Sequence, residues 1–405
     1  MEKNKLPIKK AVLIFFTFAC GYFISALLRA ITATLSPLLS NEFDLTAGNL
    51  GLLAGGYFLG FASMQIPLGY LLDKHGPKKI VSAFLLIAII GTVAFALATS
   101  FSGLLISRIL IGVGVSACLM GPLTGYRVWF ADEYQQRANA WMLMVLSMGF
   151  VFSTLPVQLL LPTIGWRWIF GLIALLIFIV IVLVLLFIPR WQTKEKESHQ
   201  KTDGSLSDVW KNKFFISTIP LGIFNYGGLV AIQTLWAGPW MVKVTGYTPL
   251  ESATGLFWIN TTMLVAFFIF GYILPKITKL GVETMKLIKI GLPISYLSLL
   301  SIIIAGENAG TIYFTIYILT SIVLTLTQPA VALSFPTSLA GKSLTSFNLL
   351  IFIGTFLMQW GIGLIIDLCQ FLGKEEVISF KISFSVYLII CIFSYLYFLI
   401  KNKNE

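Results

Sequence analysis

The chain has 405 residues, of which 57% are hydrophobic and only 11% charged, and its mean hydropathy is +0.90. A soluble domain is about 25% charged, so this chain cannot build a water-facing surface, and soluble enzymes, disordered proteins and secreted disulfide scaffolds are excluded. The formal charge of +11 invites a nucleic-acid reading, but the placement of the cations along the chain removes it.

Met1 to Lys10 is basic and leads into an apolar stretch. That stretch exceeds the ~7–15-residue core of a cleaved signal peptide, so it is expected to stay as a first span. A helix needs about 20 apolar residues to cross the hydrocarbon core. Runs of that kind predict twelve spans, at 12–38, 47–72, 80–98, 102–125, 139–160, 168–189, 214–236, 252–275, 286–305, 311–334, 344–367 and 382–400. The implied organisation is an N-terminal six-helix bundle (1–189), a polar cytoplasmic linker (190–213) and a C-terminal six-helix bundle (214–405). The expected fold is all-α and membrane-embedded. With both termini inside, 22 of the 28 Lys/Arg face the cytoplasm, four face outward, and Arg29 and Arg108 lie within spans. Positive-inside asymmetry therefore accounts for the basic charge without any nucleic-acid partner.

The first span carries Tyr22, Ser25, Arg29, Thr32 and Ser36 at spacings of 3, 4, 3 and 4, which places them on one helical face. An arginine at mid-helix costs about 2.5–3.5 kcal/mol on insertion scales, so an intramembrane charge marks a candidate site. All 17 acids fall in loops, tails or span ends, and His75 and His199 lie in cytoplasmic segments. A proton relay through mid-membrane carboxylates is thus not visible, and Arg29 with Arg108 forms the candidate anion site. Guanidinium suits a carboxylate or phosphate through paired hydrogen bonds. For Arg29 the structural alternative is pairing with backbone carbonyls or snorkelling; for Arg108 it is helix packing.

The second span ends in Gly69-Tyr-Leu-Leu-Asp73-Lys74-His75-Gly76-Pro77-Lys78-Lys79, and a shift of 202 residues lays Gly69 to Lys74 over Gly271 to Lys276. Repeated halves of six spans are a transporter arrangement. The segment from Gly69 resembles the loop between the second and third helices of the major facilitator superfamily, G-x-L-x-D-R-x-G-R-R/K. Ser107-Arg108-Ile-Leu-Ile-Gly112-Val-Gly114 resembles that family's fourth-helix pattern, with Ile111 where glutamine is usual. Gly165-Trp166-Arg167-Trp168 resembles the start of its sixth helix. The resemblance covers nearly the whole chain. It implies alternating access between two bundles, with Gly69, Asp73, Lys74, Gly76 and Lys78 forming a conformational latch. Gly69 is then expected to serve close helix packing and Gly76 a tight turn. Lys74 and Lys78 replace the commoner arginines and give up their rigid fork. Pro275 stands where the second copy would need an acid. The proline–glycine signature of drug/proton antiporters is absent from 140–158.

Further candidate substrate contacts in the second half are Asn225, Tyr226, Gln233, Asn260, Tyr317, Gln328, Asn348 and Gln359, with helix-to-helix hydrogen bonding as their alternative role. Cys20, Cys118, Cys369 and Cys391 lack ligand spacing and read as small buried hydrophobes. No metal, cofactor or catalytic set is expected. The sequence points to a secondary transporter for a small polar, anionic solute such as a carboxylate, amino acid or carboxylate-rich chelate. Proton symport is what the resemblance implies for coupling. The expected setting is a bacterial inner membrane, as a lipid-embedded monomer. Efflux of drugs or metabolites and a solute-sensing membrane receptor are the other readings.

Overall fold

The computed structural model describes residues 6–191, 206–279 and 283–403, and among them every regular element is helical. The 192–205 part of the linker lies outside the described residues. Ten helical stretches are long and apolar enough to cross a membrane. The other two expected spans are each broken midway. The second is α2 (Ala47–Ser63), followed after Met64 by the first half of α3 (Gln65–Leu97). The fifth is α6 (Asp132–Phe152), followed after Ser153 and Thr154 by the first half of α7 (Leu155–Phe187).

Glycine makes the turns inside the long helices. Gly76 in α3 has φ 78° and Gly165 in α7 has φ 74°, so α3 and α7 each consist of two helices meeting at a left-handed residue. Only glycine enters that region without a Cβ penalty. The remaining first-half elements are α1 (Ile8–Glu42), α4 (Phe101–Val115) and α5 (Ala117–Trp129). The second half comprises the short α8 (Leu206–Lys211), then α9 (Lys213–Pro220), α10 (Gly227–Ala231) and α11 (Ala237–Lys243). It continues through α12 (Pro249–Lys279), α13 (Thr284–Ala305), α14 (Thr311–Thr320), α15 (Thr327–Leu333), α16 (Thr337–Phe371) and α17 (Glu376–Lys401). The seventh span is not a plain α-helix. Two π-helical stretches, Leu221–Tyr226 and Ile232–Trp236, interrupt α9, α10 and α11.

Contacts group the chain into two compact units, Met1–Ile31 with Gly56–Glu197, and Thr32–Gly55 with Ser198–Glu405. In the first unit, α2 and α4 cross with their backbones nearly touching. A methyl group on Gly112 would collide with the Tyr57 carbonyl, and one on Gly60 with the Ile109 carbonyl. Phe95 and Phe170 stack at 4.3 Å between ring centres, joining α3 to α7. In the second unit Trp236 and Trp240 are fully buried, and the backbones of Gly227 and Gly354 meet. Of the cysteines, Cys118, Cys369 and Cys391 are buried as expected, but Cys20 is exposed. It sits on an apolar span, where the outer face of the helix meets lipid.

The start of α2 belongs to the second unit and is held there by an acid. The Asp367 carboxylate accepts hydrogen bonds from the Thr46 hydroxyl (2.7 Å) and from the backbone N–H groups of Ala47 and Gly48 (both 2.9 Å). Gly363 lets α16 approach this point, because a methyl there would strike the Ala47 carbonyl. The first N–H groups of a helix have no intrahelical partner, and a carboxylate satisfies them while opposing the positive helix end. Asp367→Ala is therefore expected to lower the melting temperature of the purified protein, through a loss of about 1–2 kcal/mol. Asp367→Asn, which keeps an accepting oxygen, should recover part of it in the same melting experiment.

Candidate functional site

The five-residue polar face of α1 is buried along its whole length. Tyr22, Ser25, Arg29, Thr32 and Ser36 are each at most 7% exposed. Ser36 is satisfied locally, donating to the Ala33 carbonyl at 2.8 Å. The site grows around Arg29. Its guanidinium lies over the rings of Phe61 (5.3 Å), Tyr57 (5.8 Å) and Phe58 (6.0 Å). The Arg108 guanidinium of α4 lies 5.8 Å from the same Tyr57 ring and 5.7 Å from Phe95. Tyr57 thus contacts two cations, and the negative face of an aromatic ring attracts a cation. Its hydroxyl donates to the Ser25 carbonyl at 3.0 Å and lies 3.0 Å from the Ser25 hydroxyl, which fixes the ring against α1.

Arg108 is also tied to α1, donating from one terminal nitrogen to the Leu28 carbonyl at 2.9 Å. That bond joins α4 to α1, and the carbonyl that accepts it immediately precedes Arg29 in the chain. The α2–α4 crossing at Gly112 is what brings Tyr57 level with Arg108. Among the described residues, Arg29 and Arg108 are the only charged side chains that are buried. Two cations gathered on one ring, in an apolar interior, form a positive focus suited to an anion.

Tyr57 is the main residue that the sequence reading missed. Tyr57, Phe58 and Phe61 share α2 in an otherwise aliphatic and small-residue segment, and that cluster was the available signal.

The polar residues of the second unit separate into distinct groups. Gln233 donates to the Asn260 side-chain oxygen at 3.0 Å, and Asn260 donates to the Leu256 carbonyl at 3.0 Å. One residue further along, the Thr234 hydroxyl accepts from the Gln359 amide at 3.0 Å, while Trp236 donates to the Gln359 carbonyl at 3.1 Å. The π-helical stretch at 232–236 carries Gln233, Thr234 and Trp236 and presents them to α12 and α16 together. Gln359 has a buried side-chain oxygen without a hydrogen-bond partner among the described residues. These residues make a second polar cluster, uncharged, whose side-chain amide donors are engaged.

The other expected contacts are engaged elsewhere. Asn225 accepts from the Tyr296 hydroxyl (2.7 Å) and donates to the Ser394 hydroxyl (3.0 Å), tying three helices together. Tyr317 and Tyr387 share a hydroxyl–hydroxyl bond of 3.0 Å, and Gln328 donates to Asn348. Tyr226 packs on the apolar core of its unit. These arrangements are the helix-to-helix bonding that stood as the alternative role.

At the expected latch, Gly76 makes the turn that its sequence position implies. A methyl there would run into Trp191, whose indole N–H donates to the Asp73 carbonyl at 3.3 Å and whose ring meets Trp129 edge-on. Gly69 departs from expectation, because a Cβ there would have no heavy atom within 4 Å. Close helix packing is therefore not what Gly69 serves in this arrangement. Asp73 and Lys74 are exposed and Lys78 is half-buried; the Lys74 ammonium lies 5.7 Å from the Tyr70 ring.

The profile of the family described as Major Facilitator Superfamily matches residues 18–358. Among curated proteins, the chain is 27% identical over 163 residues to a probable sulfoacetate transporter, SauU, of Cupriavidus necator, covering 40% of this chain and 38% of that protein. It is 26% identical over 205 residues to the quinolone resistance protein NorA of Staphylococcus aureus, covering 50% of this chain and 52% of that one. The chain thus aligns with about half or less of these relatives' length. Its fold is similar to the crystal structure of a bacterial homologue of the human lysosomal transporter Spinster, inward-facing and unoccupied. The TM-score is 0.79 at 15% identity, covering 97% of both chains. It is also similar to that of a D-xylose–proton symporter, with a TM-score of 0.78 at 12% identity, covering 96% of this chain and 97% of that one.

Proposed function

The chain belongs to the major facilitator superfamily, and from that premise we propose that it is a secondary transporter that carries a small anionic solute by alternating access. The observation that carries this reading is that Arg29 and Arg108, both buried, each lie 5.8 Å from the Tyr57 ring. Arg29 is the primary anion contact, and Arg108 adds charge while holding α1 in place. Tyr22, Ser25 and Thr32 line the same face of α1 and supply hydroxyl groups. Gln233, Asn260 and Gln359, of the uncharged polar cluster of the second unit, are the proposed solute contacts of that unit. The similarity to a probable sulfoacetate transporter favours a small sulfonate or carboxylate as cargo.

Bundles 1–189 and 214–405 would rock about the solute, with the loop from Gly69 to Lys78 acting as latch. The charge distribution, 22 cations against four, supports cytoplasmic termini, in a bacterial inner membrane. Among the described residues the buried charges are both cationic, so coupling would run through the solute's own charge, by symport of its proton or by exchange for another anion.

The test is counterflow in proteoliposomes, with small sulfonates, mono- and dicarboxylates, amino acids and neutral sugars as cargo. Saturable exchange of the anions and none of the sugars is the expected result. Exchange confined to sugars would overturn the anion assignment. The similarity to a quinolone resistance protein supports a second reading, efflux. Transport of lipophilic cations, indifferent to added carboxylates, would favour it.

A further inference from the structure

The uncharged cluster of the second unit has a polarity of its own, set by which end of each amide is engaged. Asn260 donates from its side-chain nitrogen to the Leu256 carbonyl at 3.0 Å. Its oxygen is therefore the end that faces Gln233, which meets it with its own nitrogen at 3.0 Å. Thr234 fixes Gln359 in the same way. The Thr234 hydroxyl lies 2.6 Å from the Val230 carbonyl and directs its single hydrogen there. What it offers Gln359 is a lone pair, which only the amide nitrogen can meet, at 3.0 Å. Both glutamines thus engage their nitrogens, and neither side-chain oxygen accepts a hydrogen bond among the described residues.

The Gln359 oxygen cannot reach a donor by moving. Its side chain is held by Thr234 and its backbone carbonyl by the Trp236 indole, and both holders belong to the π-helical stretch Ile232–Trp236. Such short π stretches are frequent at functional sites. From α2, Gly51 packs on the same backbone carbonyl, which a methyl group there would strike. Gln359 and Thr234 are fully buried, and a buried acceptor without a donor is costly to keep. A rigidly held, unsatisfied acceptor of this kind calls for a donor from outside the chain.

We propose that the Gln359 oxygen, with that of Gln233, receives an ammonium group of the solute, so that the cargo is a zwitterion, an amino acid or aminosulfonate, rather than a plain carboxylate or sulfonate. An ammonium has three donors and no acceptor, which suits two amide oxygens better than the single hydrogen of a hydroxyl does. Among the described residues no acid is buried to neutralise a cation. A zwitterion brings its own counter-charge, and so loses less on leaving water than a lone cation. The inference rests on the reading of the solute as an anion and narrows it.

Matched solutes in proteoliposome counterflow with the full chain decide it. One series is alanine, 2-hydroxypropanoate and 2-methylpropanoate; the other is 2-aminoethanesulfonate, 2-hydroxyethanesulfonate and propane-1-sulfonate. In at least one series the amine should half-saturate exchange at a concentration at least about tenfold below its methyl counterpart, with the hydroxyl member between them. Gln359→Leu should erase that preference while the methyl member is still exchanged. Thr234→Val keeps the shape of the side chain but no longer orients the amide, so it should lower the same ratio, and it reads the proposal even if Gln359→Leu fails to fold. Equal half-saturation by amine and methyl members in wild type overturns the proposal and leaves the anionic-solute reading standing. A hydroxyl member that matches the amine, or a preference undiminished in the variants, does the same. Exchange of no member of either series overturns both readings together.

Discussion

Arg29→Gln is expected to leave a folded protein that no longer concentrates its anion. Removing the charged member of a buried ionic contact costs about 3 kcal/mol, roughly a hundredfold in affinity. Glutamine keeps one hydrogen-bond donor but neither the charge nor the guanidinium fork. Arg29→Lys restores the charge without the paired geometry, so it should recover part of the loss and remain about tenfold weaker than wild type. Arg29 rests on the faces of Tyr57, Phe58 and Phe61, and glutamine gives up those cation–π contacts as well as the charge. Arg108→Gln is the informative contrast. It breaks the bond to the Leu28 carbonyl that ties α4 to α1, so melting temperature and transport should fall together. Counterflow at limiting anion concentration, with melting curves on the same preparations, separates the two. If Arg29→Gln exchanged anions at the wild-type rate, Arg29 would be a structural residue and the anion site would lie elsewhere.

The unequal roles of the two arginines mark what a sequence discloses and what it does not. Ten of the twelve expected spans, and the buried charge of Arg29, were legible because membrane insertion is a strong local constraint: about 20 apolar residues in a row, and a charge among them stands out. The breaks at Met64 and at Ser153–Thr154 were not, since the surrounding residues stay apolar on both sides. The π-helical stretches of the seventh span leave even less trace. One extra residue shifts the helical phase, but phase is read from alternation of polar and apolar residues, and this span has little. The consequence was concrete. Gln233, Thr234 and Trp236 reach α12 and α16 from one short stretch, while Asn225, judged equivalent by composition, is engaged by Tyr296 and Ser394. Pairings across 27 or 125 positions follow from three-dimensional packing, which spacing within a helix does not encode. Asp367 was legible only as an acid at a span end; its role at the start of α2, some 320 residues earlier, needed the fold.

Glycine gives the sharpest case, because two residues of the same motif vocabulary have opposite surroundings. Gly112→Val is expected to be severely destabilising and Gly69→Ala nearly silent. At Gly112 the atom in the way is the Tyr57 carbonyl, part of a helix backbone that cannot rotate aside as a side chain would. Relief requires α2 and α4 to separate, which also loosens the Gly60 contact with Ile109 on the same crossing. Overpacking a tight interior costs about 1–3 kcal/mol and occasionally more; a backbone collision that separates two helices belongs at the upper end. The damage would extend to the site, because the crossing sets the height of Tyr57 against Arg108, and the ring would lose its contact with that guanidinium. Gly69 has open space around its missing Cβ, so alanine there should not destabilise and should add at most about 1 kcal/mol through helix propensity. If Gly69→Ala melts normally yet slows exchange, the glycine matters in a conformation with α3 differently packed, which is what a latch requires. Normal melting with normal exchange would remove Gly69 from the latch and leave Gly76, held at φ 78° beside Trp191, as the glycine on which that loop depends.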